Sequence, residues 1–159
     1  MYKPPEEEEP IQVPTFKEAQ TDYVSAVRSR TMSRVRGKDT KVERKLRQAL
    51  WQMGYRYRKN VKSLPGTPDI AIKKYKLAVF VDGEFWHGYH WAEKKKSIRS
   101  NRAYWIPKIE RNMQRDRQVT QELQAMGWTV FRFWEGRLKT HFRLCLQAIV
   151  DELEKRKRR

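Results

Sequence analysis

The stretch IAIKKYKLAVFVD, residues 70–82, restricts the fold more than any other part of the chain, because two apolar runs are separated only by KKYK. Strands joined by so short a turn pair antiparallel, as a hairpin, with one strand at about 68–73 and the next at about 76–82. The Pro and Gly residues of LPGTP, residues 64–68, bound the first of them. Asp69 and Asp82 stand at strand ends, and Phe85-Trp86-His87 follows at once. One carboxylate at a strand end is ordinary, but two of them leading into aromatics and an imidazole point to a site.

The elements around the hairpin follow from periodicity and breakers. Asp39 or Thr40 can cap a helix at about 40–53 that buries Val42, Leu46, Ala49, Leu50 and Met53 and stops at Gly54. A short strand at about 55–59 precedes the hairpin. Residues 84–107 are polar and aromatic without clear periodicity, the signature of a functional loop. Pro107 stands near the start of a helix running to about 126, where Gly127 ends it. The run WTVFRFW, 128–134, has the length and composition of a buried strand. A last helix, about 137–155, aligns Leu138, Phe142, Cys145, Ile149 and Leu153. The order α-β-β-β-α-β-α predicts a three-layer α/β domain whose mixed central β-sheet is flanked by helices.

Charge divides the chain. Residues 1–26 contribute −4, while the remaining 133 residues carry +21 of the net +17. The acidic, proline-containing segment 1–26 reads as a flexible tail ahead of a domain at 27–159. A domain that basic selects a polyanion, since each Lys or Arg near a phosphate releases condensed counterions. No apolar run approaches the roughly 18 residues needed to span a bilayer, and MYKPPEEEEP lacks the character of a signal peptide, so no membrane partner and a cytoplasmic location are expected. Cys145 is the only cysteine. It excludes an internal disulfide and any multi-cysteine zinc site, and its place on an apolar stripe gives it a packing role.

Several polar residues stand where packing alone would not put them. At 100° per residue, Ile109, Met113, Asp116, Thr120 and Leu123 fall within about 80° of arc on one helix. A carboxylate at the centre of a core-facing stripe needs a partner, because burying it unpaired costs several kcal/mol. The partner is either one of the many arginines or a histidine or metal that Asp116 orients, and Asn112 borders the same face. Glu43 lies about 70° from the centre of its helix's stripe, an edge position at which a carboxylate either points along the sheet end or is simply solvated. Asp69 and Asp82 on neighbouring strands can share a divalent cation such as Mg²⁺, the usual arrangement for cutting a phosphodiester. His87 is either an ordinary loop histidine or the group that takes a proton from the attacking water. Phe85 and Trp86 either fold into the core or stand outside it as wedges between base pairs. His87 and His90, two histidines without cysteine, make only a weak zinc motif.

In this order the blocks RSRTMSRVRGKDTKVERKLRQALWQMGYRYR, LPGTPDI, VFVDGEFWHG, YWIPKIERNMQRD and GWTVFRFWE resemble the very short patch repair (Vsr-type) endonucleases, a bacterial branch of the PD-(D/E)xK nuclease superfamily, over about residues 28–155. The resemblance implies a restriction-endonuclease-like fold. It also implies that Asp69 and the backbone carbonyl of Val81 hold Mg²⁺, that His87 activates water, and that Asp116 pairs with it. Glu43 matches an acid near the metal-water shell. Phe85 and Trp86 match aromatics that intercalate beside a T·G mismatch, and Met32 matches an apolar residue wedged in from the N-terminal arm. Asp82 stands where the best-known members have a histidine, which leaves metal binding or positioning as its role. Family members usually carry a structural zinc held by Cys and His. The matching positions here are Glu84, Tyr89, Trp91 and Gly136, so that zinc is expected to be absent and packing by Tyr89 and Trp91 to stand in for it.

The expectation is a Mg²⁺-dependent endonuclease that nicks one strand of double-stranded DNA at T·G mismatches left by deamination of 5-methylcytosine. Lys94, Lys95, Arg99, Arg102 and Asn112 would contact the DNA. A monomer, near the bacterial nucleoid and in contact with other repair proteins, fits that role. Two alternatives stay open on the residues: a restriction-like or structure-specific nuclease with the same chemistry, and a DNA-binding module without catalysis, against which Asp69, His87 and Asp116 argue.

Overall fold

The computed structural model describes residues 9–14 and 39–159. Helix α1, Lys41–Gln52, begins where Thr40, in extended backbone, accepts the Glu43 N–H on its side-chain oxygen. Val42, Leu46 and Leu50 make the buried stripe that the sequence predicts. Met53 leaves that stripe and is 52% exposed, because it is the helix cap and the chain turns away at Gly54, φ +89°. A capping turn places its side chain by loop geometry, which helical spacing does not describe.

Strands β1 (Arg58–Lys59), β2 (Ile70–Ile72), β3 (Leu77–Asp82) and β4 (Thr129–Trp134) form one sheet in that order. β1, β2 and β3 pair antiparallel, with Ile70 opposite Val79 and Ile72 opposite Leu77. The hairpin turn is a single 3₁₀ turn at Lys73–Tyr75, closed by Lys76 in the left-handed region at φ +46°. β4 runs parallel to β3, from Leu77 opposite Thr129 to Asp82 opposite Trp134. Adjacent parallel strands need a crossover, and helices α2 (Trp91–Ser97) and α3 (Arg102–Ala125) supply it.

Alternation assigns the two sheet faces. Ile70, Ile72, Leu77 and Val79 pack with Val42, Leu46 and Leu50 of α1, Leu138 of α4 (Glu135–Thr140), and Cys145, Ile149 and Leu153 of α5 (Phe142–Lys157). Ala71, Ala78 and Phe80 pack with Leu64, Trp128 and Val119 and Leu123 of α3. The result is the expected three-layer, restriction-endonuclease-like arrangement around a mixed sheet. Cys145 is a buried, free packing residue of the first cluster.

Four expectations change. The segment 84–107 is not one loop, since it contains α2 and the start of α3. Pro107 lies inside α3, five residues past its first residue, so the Ala103 carbonyl has no helical N–H to accept. The last helix is two helices broken at His141, φ −124°, although its apolar spacing runs across the break. β4 is half-buried along its whole length, because it is an edge strand with a single neighbour.

Residues 9–14 lie against α3. Ile11 N–H donates to Gln114 Oε1 at 3.1 Å, and Gln114 Nε2 donates to the Glu9 carbonyl at 2.8 Å. Gln114 is only 2% exposed, although helical spacing puts it off the apolar stripe. Among the described residues no helix is long and apolar enough to cross a membrane.

Packing of this kind gives a direct stability test. Leu46 is fully buried and Leu144 is 65% exposed. Leu46→Ala is expected to lose about 2–5 kcal/mol in urea unfolding, and Leu144→Ala to stay within about 0.5 kcal/mol of the parent.

Candidate active site

The site lies where β3 ends, on the α3 side of the sheet. Asp82 continues the row of Ala78 and Phe80, so its carboxylate faces α3. The turns from Gly83 to His90 fold back on the same helix: His87 N–H donates to the Gly83 carbonyl at 3.2 Å, and Tyr89 N–H to the Glu84 carbonyl at 3.0 Å. Asn112 Nδ2 donates to the Trp86 carbonyl at 3.0 Å and ties the turn to α3. Gly88 adopts φ +74°, and a Cβ there would overlap the Met113 sulfur. Only glycine lets the backbone after His87 approach α3 so closely.

His87 and Asp116 meet in this cleft, with 2.5 Å between Nδ1 and Oδ2. The carboxylate therefore accepts the hydrogen bond from Nδ1–H, which leaves the lone pair of the neutral ring on Nε2. Burial lowers the proton affinity of His87, but the hydrogen bond to Asp116 and the charges of Asp82 and Asp116 outweigh it, so its pKa lies above the ordinary histidine value. Asp82 Oδ1 is 3.7 Å from His87 Nδ1. The stripe carboxylate on α3 thus has both of the partners considered from sequence, since Arg132 Nη1 also stands 3.4 Å from Asp116 Oδ1.

Asp82 itself is engaged by an arginine. Arg132 Nη1 donates to its two oxygens at 3.0 and 2.8 Å. Burial raises the Asp82 pKa, the Arg132 and His87 charges oppose it, and the net shift is upward. Asp82, His87 and Asp116 offer ligand atoms within 4.8 Å of one another, a spacing that could hold a metal ion.

Asp69 sits just before β2, and its Oδ2 accepts the Val81 N–H at 2.7 Å. The pairing of β2 with β3 stops at Ile70 opposite Val79, and the N–H of Val81 is taken by this side chain. Burial pushes the Asp69 pKa up to about 6; the Val81 N–H and Arg47 oppose this, while Glu43 and Asp82 add to it.

Glu43 departs from the solvated reading. It is 2% exposed. Its oxygens accept from Asp39 N–H at 2.9 Å and Thr40 Oγ1 at 3.2 Å, and Arg47 Nη1 lies 3.7 Å away. The Thr40-x-x-Glu43 spacing is that of a reciprocal helix cap, which draws an edge carboxylate inward. Its charge nonetheless reaches Asp69.

Phe85 and Trp86 are neither core nor free. Phe85 is 36% exposed and meets Trp86 edge-on at 5.2 Å, and Trp105 lies 5.6 Å from both rings. Trp105, inside a block quoted above, completes an aromatic cluster that the sequence did not single out. Of the basic candidates, Lys94 and Arg99 are exposed. Lys95 Nζ bonds Glu110 at 2.6 Å, and Arg102 Nη1 bonds the Lys95 and Ile98 carbonyls at 2.9 and 2.5 Å. Met32 lies outside the described residues.

At the four positions that the resemblance matches to zinc ligands, only Glu84 and Gly136 bond each other, and Tyr89 and Trp91 have partners elsewhere. Gly136 N–H donates to Glu84 Oε1 at 2.5 Å, and a Cβ at Gly136 would overlap that oxygen. Tyr89 packs edge-on against Trp134 at 5.1 Å. Trp91 Nε1 donates to Glu110 at 3.1 Å.

Residues 21–93 match the family model for the DNA mismatch endonuclease Vsr. The chain is 48% identical over 122 residues to the type II nicking enzyme V.NmeDIP of Neisseria meningitidis serogroup C, covering 77% of this chain and 82% of the relative. It is 52% identical over 99 residues to the type II nicking enzyme V.HpaIIP of Haemophilus parainfluenzae, covering 62% and 70%. The DNA mismatch endonuclease Vsr of Escherichia coli strain K12 is 35% identical over 130 residues, covering 81% and 82%. With an imidazole held by a carboxylate at the end of its central strand, the chain belongs to the Vsr family of DNA mismatch endonucleases.

Proposed function

We propose that this endonuclease depends on Mg²⁺ and nicks one strand of duplex DNA at T·G mismatches formed by deamination of 5-methylcytosine. The observation that carries the chemistry is the 2.5 Å bond between His87 Nδ1 and Asp116. It fixes the tautomer and leaves Nε2 to accept a proton from water. The water oxygen then forms a bond to phosphorus as one phosphodiester P–O bond breaks, the proton of the attacking water rests on Nε2, and the leaving sugar oxygen takes a proton from solvent.

The donors near Asp69 fit a small hard cation. In a strand the N–H and C=O of one residue point to the same edge. Val81 gives its N–H to Asp69 Oδ2, so its carbonyl is turned to that edge as well. A carboxylate and a carbonyl are the oxygen donors that Mg²⁺ prefers, and burial of Asp69 without full compensation favours a positive charge beside it. Asp69 and the Val81 carbonyl would hold the ion, and when bound it would stabilise charge on the phosphate. Glu43 would act on this centre through its charge, and Asp82 would steady His87.

Phe85 and Trp86, braced by Trp105, suit a wedge that enters the stack at a weakened pair. Asn112 would set the height of the wedge through the Trp86 carbonyl. Lys94 and Arg99 are free to reach phosphates, Lys95 and Arg102 would shape the segment that presents them, and Met32 would add a second wedge from the arm. A monomer with one such centre cuts one strand, in keeping with the nicking enzymes among the relatives. Other repair proteins would act on the nick near the nucleoid, in the cytoplasm.

The deciding experiment uses the full chain, Mg²⁺ and two duplexes that differ only in one T·G pair. The expected result is a nick in one strand of the mismatched duplex alone, slowed about 10³-fold by Asp69→Ala. Equal cutting of both duplexes would refute mismatch specificity.

Protonation gives two further expectations. His87 acts as a base only when neutral, and its pKa is raised, so nicking should fall as pH drops through a value above the ordinary histidine range. Asp116→Asn removes an upward influence. Its acid limb should move to lower pH, with a rate loss on the order of 10²-fold.

Asp69, with a folded-state pKa of about 6 against an ordinary 3.8, is more easily protonated folded than unfolded. Its ionisation therefore takes stability away as pH rises through that window. Measured by thermal or urea unfolding with chelator and without DNA, Asp69→Asn should match the parent near pH 4. Above pH 6.5 it should be more stable by about 2 kcal/mol.

A further inference from the structure

Asp82, His87 and Asp116 have the make-up of a metal cage, yet this cluster already contains a cation. Arg132 comes from β4, opposite Phe80 in the parallel register, and its side chain crosses to the α3 side. Nη1 donates to both oxygens of Asp82, at 3.0 and 2.8 Å, and stands 3.4 Å from Asp116 Oδ1. Nε donates to Thr120 Oγ1 at 3.0 Å, and that hydroxyl donates in turn to the Asp116 backbone carbonyl at 2.9 Å. The guanidinium lies over the Phe80 ring, 4.2 Å from its centre. Strand β3 and helix α3 thus hold the arginine from two sides, by charge, hydrogen bond and ring contact.

The two oxygens of Asp116 have separate tasks. Oδ1 faces Arg132, and Oδ2 faces His87. A carboxylate drawn at one oxygen and bonded at the other does not rotate freely, so the imidazole inherits its orientation from the arginine. We infer that Arg132 is a positioning residue for hydrolysis: its fixed guanidinium holds Asp82 and Asp116 so that Asp116 stays in place to accept the hydrogen bond from His87 Nδ1–H and Nε2 stays free as the base. The inference rests on the reading of His87 as the proton acceptor. Lysine at this place would keep the charge but, as a point donor, could not serve Asp82 and Thr120 together. Leucine would keep neither.

The test uses full-length Arg132→Lys and Arg132→Leu, with Asp116→Asn as reference. In the free protein, without DNA or metal, proton NMR of the His87 Nδ1–H reports its bond to Asp116. The parent should give a strongly downfield signal that Arg132→Leu loses, as Asp116→Asn does, and that Arg132→Lys shifts. In single-turnover nicking at saturating mismatched DNA, Arg132→Leu should be slower on the order of 10²-fold and Arg132→Lys about tenfold, with DNA affinity within about threefold of the parent. Added methylguanidinium should restore part of the rate of Arg132→Ala. An unchanged Nδ1–H signal in the folded variants, or parental nicking by Arg132→Leu, would overturn the proposal. Should Arg132→Leu fail to fold, the milder Arg132→Lys decides by the same two readouts. If the parent itself does not nick, the functional reading fails, and the NMR comparison still decides whether Arg132 positions His87.

Discussion

Parallel pairing between β3 and β4 is the constraint on which the site depends. It runs without interruption from Leu77 opposite Thr129 to Asp82 opposite Trp134. A shift of one residue would turn Arg132 to the opposite face of the sheet, towards Val79, Leu138 and Ile149, and would turn Phe131 and Phe133 to the α3 side. The guanidinium would then be buried in apolar surroundings, and Asp82 would be left in its pocket without a counter-charge. Either outcome costs several kcal/mol. The polar cluster thus opposes the wrong register as strongly as the apolar residues support the right one.

The same register separates two electrostatic tasks. On the α3 side, two carboxylates are matched by Arg132 and by the imidazole. At the hairpin edge, Asp69 is buried beside Glu43 and Asp82 with Arg47 as its opposing charge, and its proton affinity rises accordingly. One centre is nearly balanced and the other is short of positive charge. A balanced centre suits holding and moving a proton, and an unbalanced one suits capture of a cation. Buried like charges of this kind are common where a fold gives up stability for chemistry.

Much of this was legible in the sequence because it follows from spacing. The hairpin, the buried stripe of α1 and the odd position of Asp116 all come from periodicity of two or of 3.6. What escaped depends on contacts between segments distant in the chain. Arg132 was hidden in a strand read as uniformly buried, although alternation in VFRFW sets it in one row with Val130, a row that faces a helix. Glu43 is drawn out of solvent by its contacts with Asp39 N–H and Thr40, which its helical angle does not reveal. Gln114 is covered by residues 9–14, more than a hundred positions away. The break at His141 interrupts a stripe that is continuous in sequence, since both sides of the break face the same core.

The contact between Glu84 and Gly136 has a consequence for how such chains diverge. The glutamate oxygen occupies the space that any side chain at 136 would need. A mutation at Gly136 alone therefore displaces the carboxylate, while one at Glu84 alone leaves a main-chain N–H and a void. The two positions, 52 residues apart in the chain, are therefore coupled through one contact. Through it the start of α4 is fastened to the loop that carries His87, so a change at either end is felt at the other.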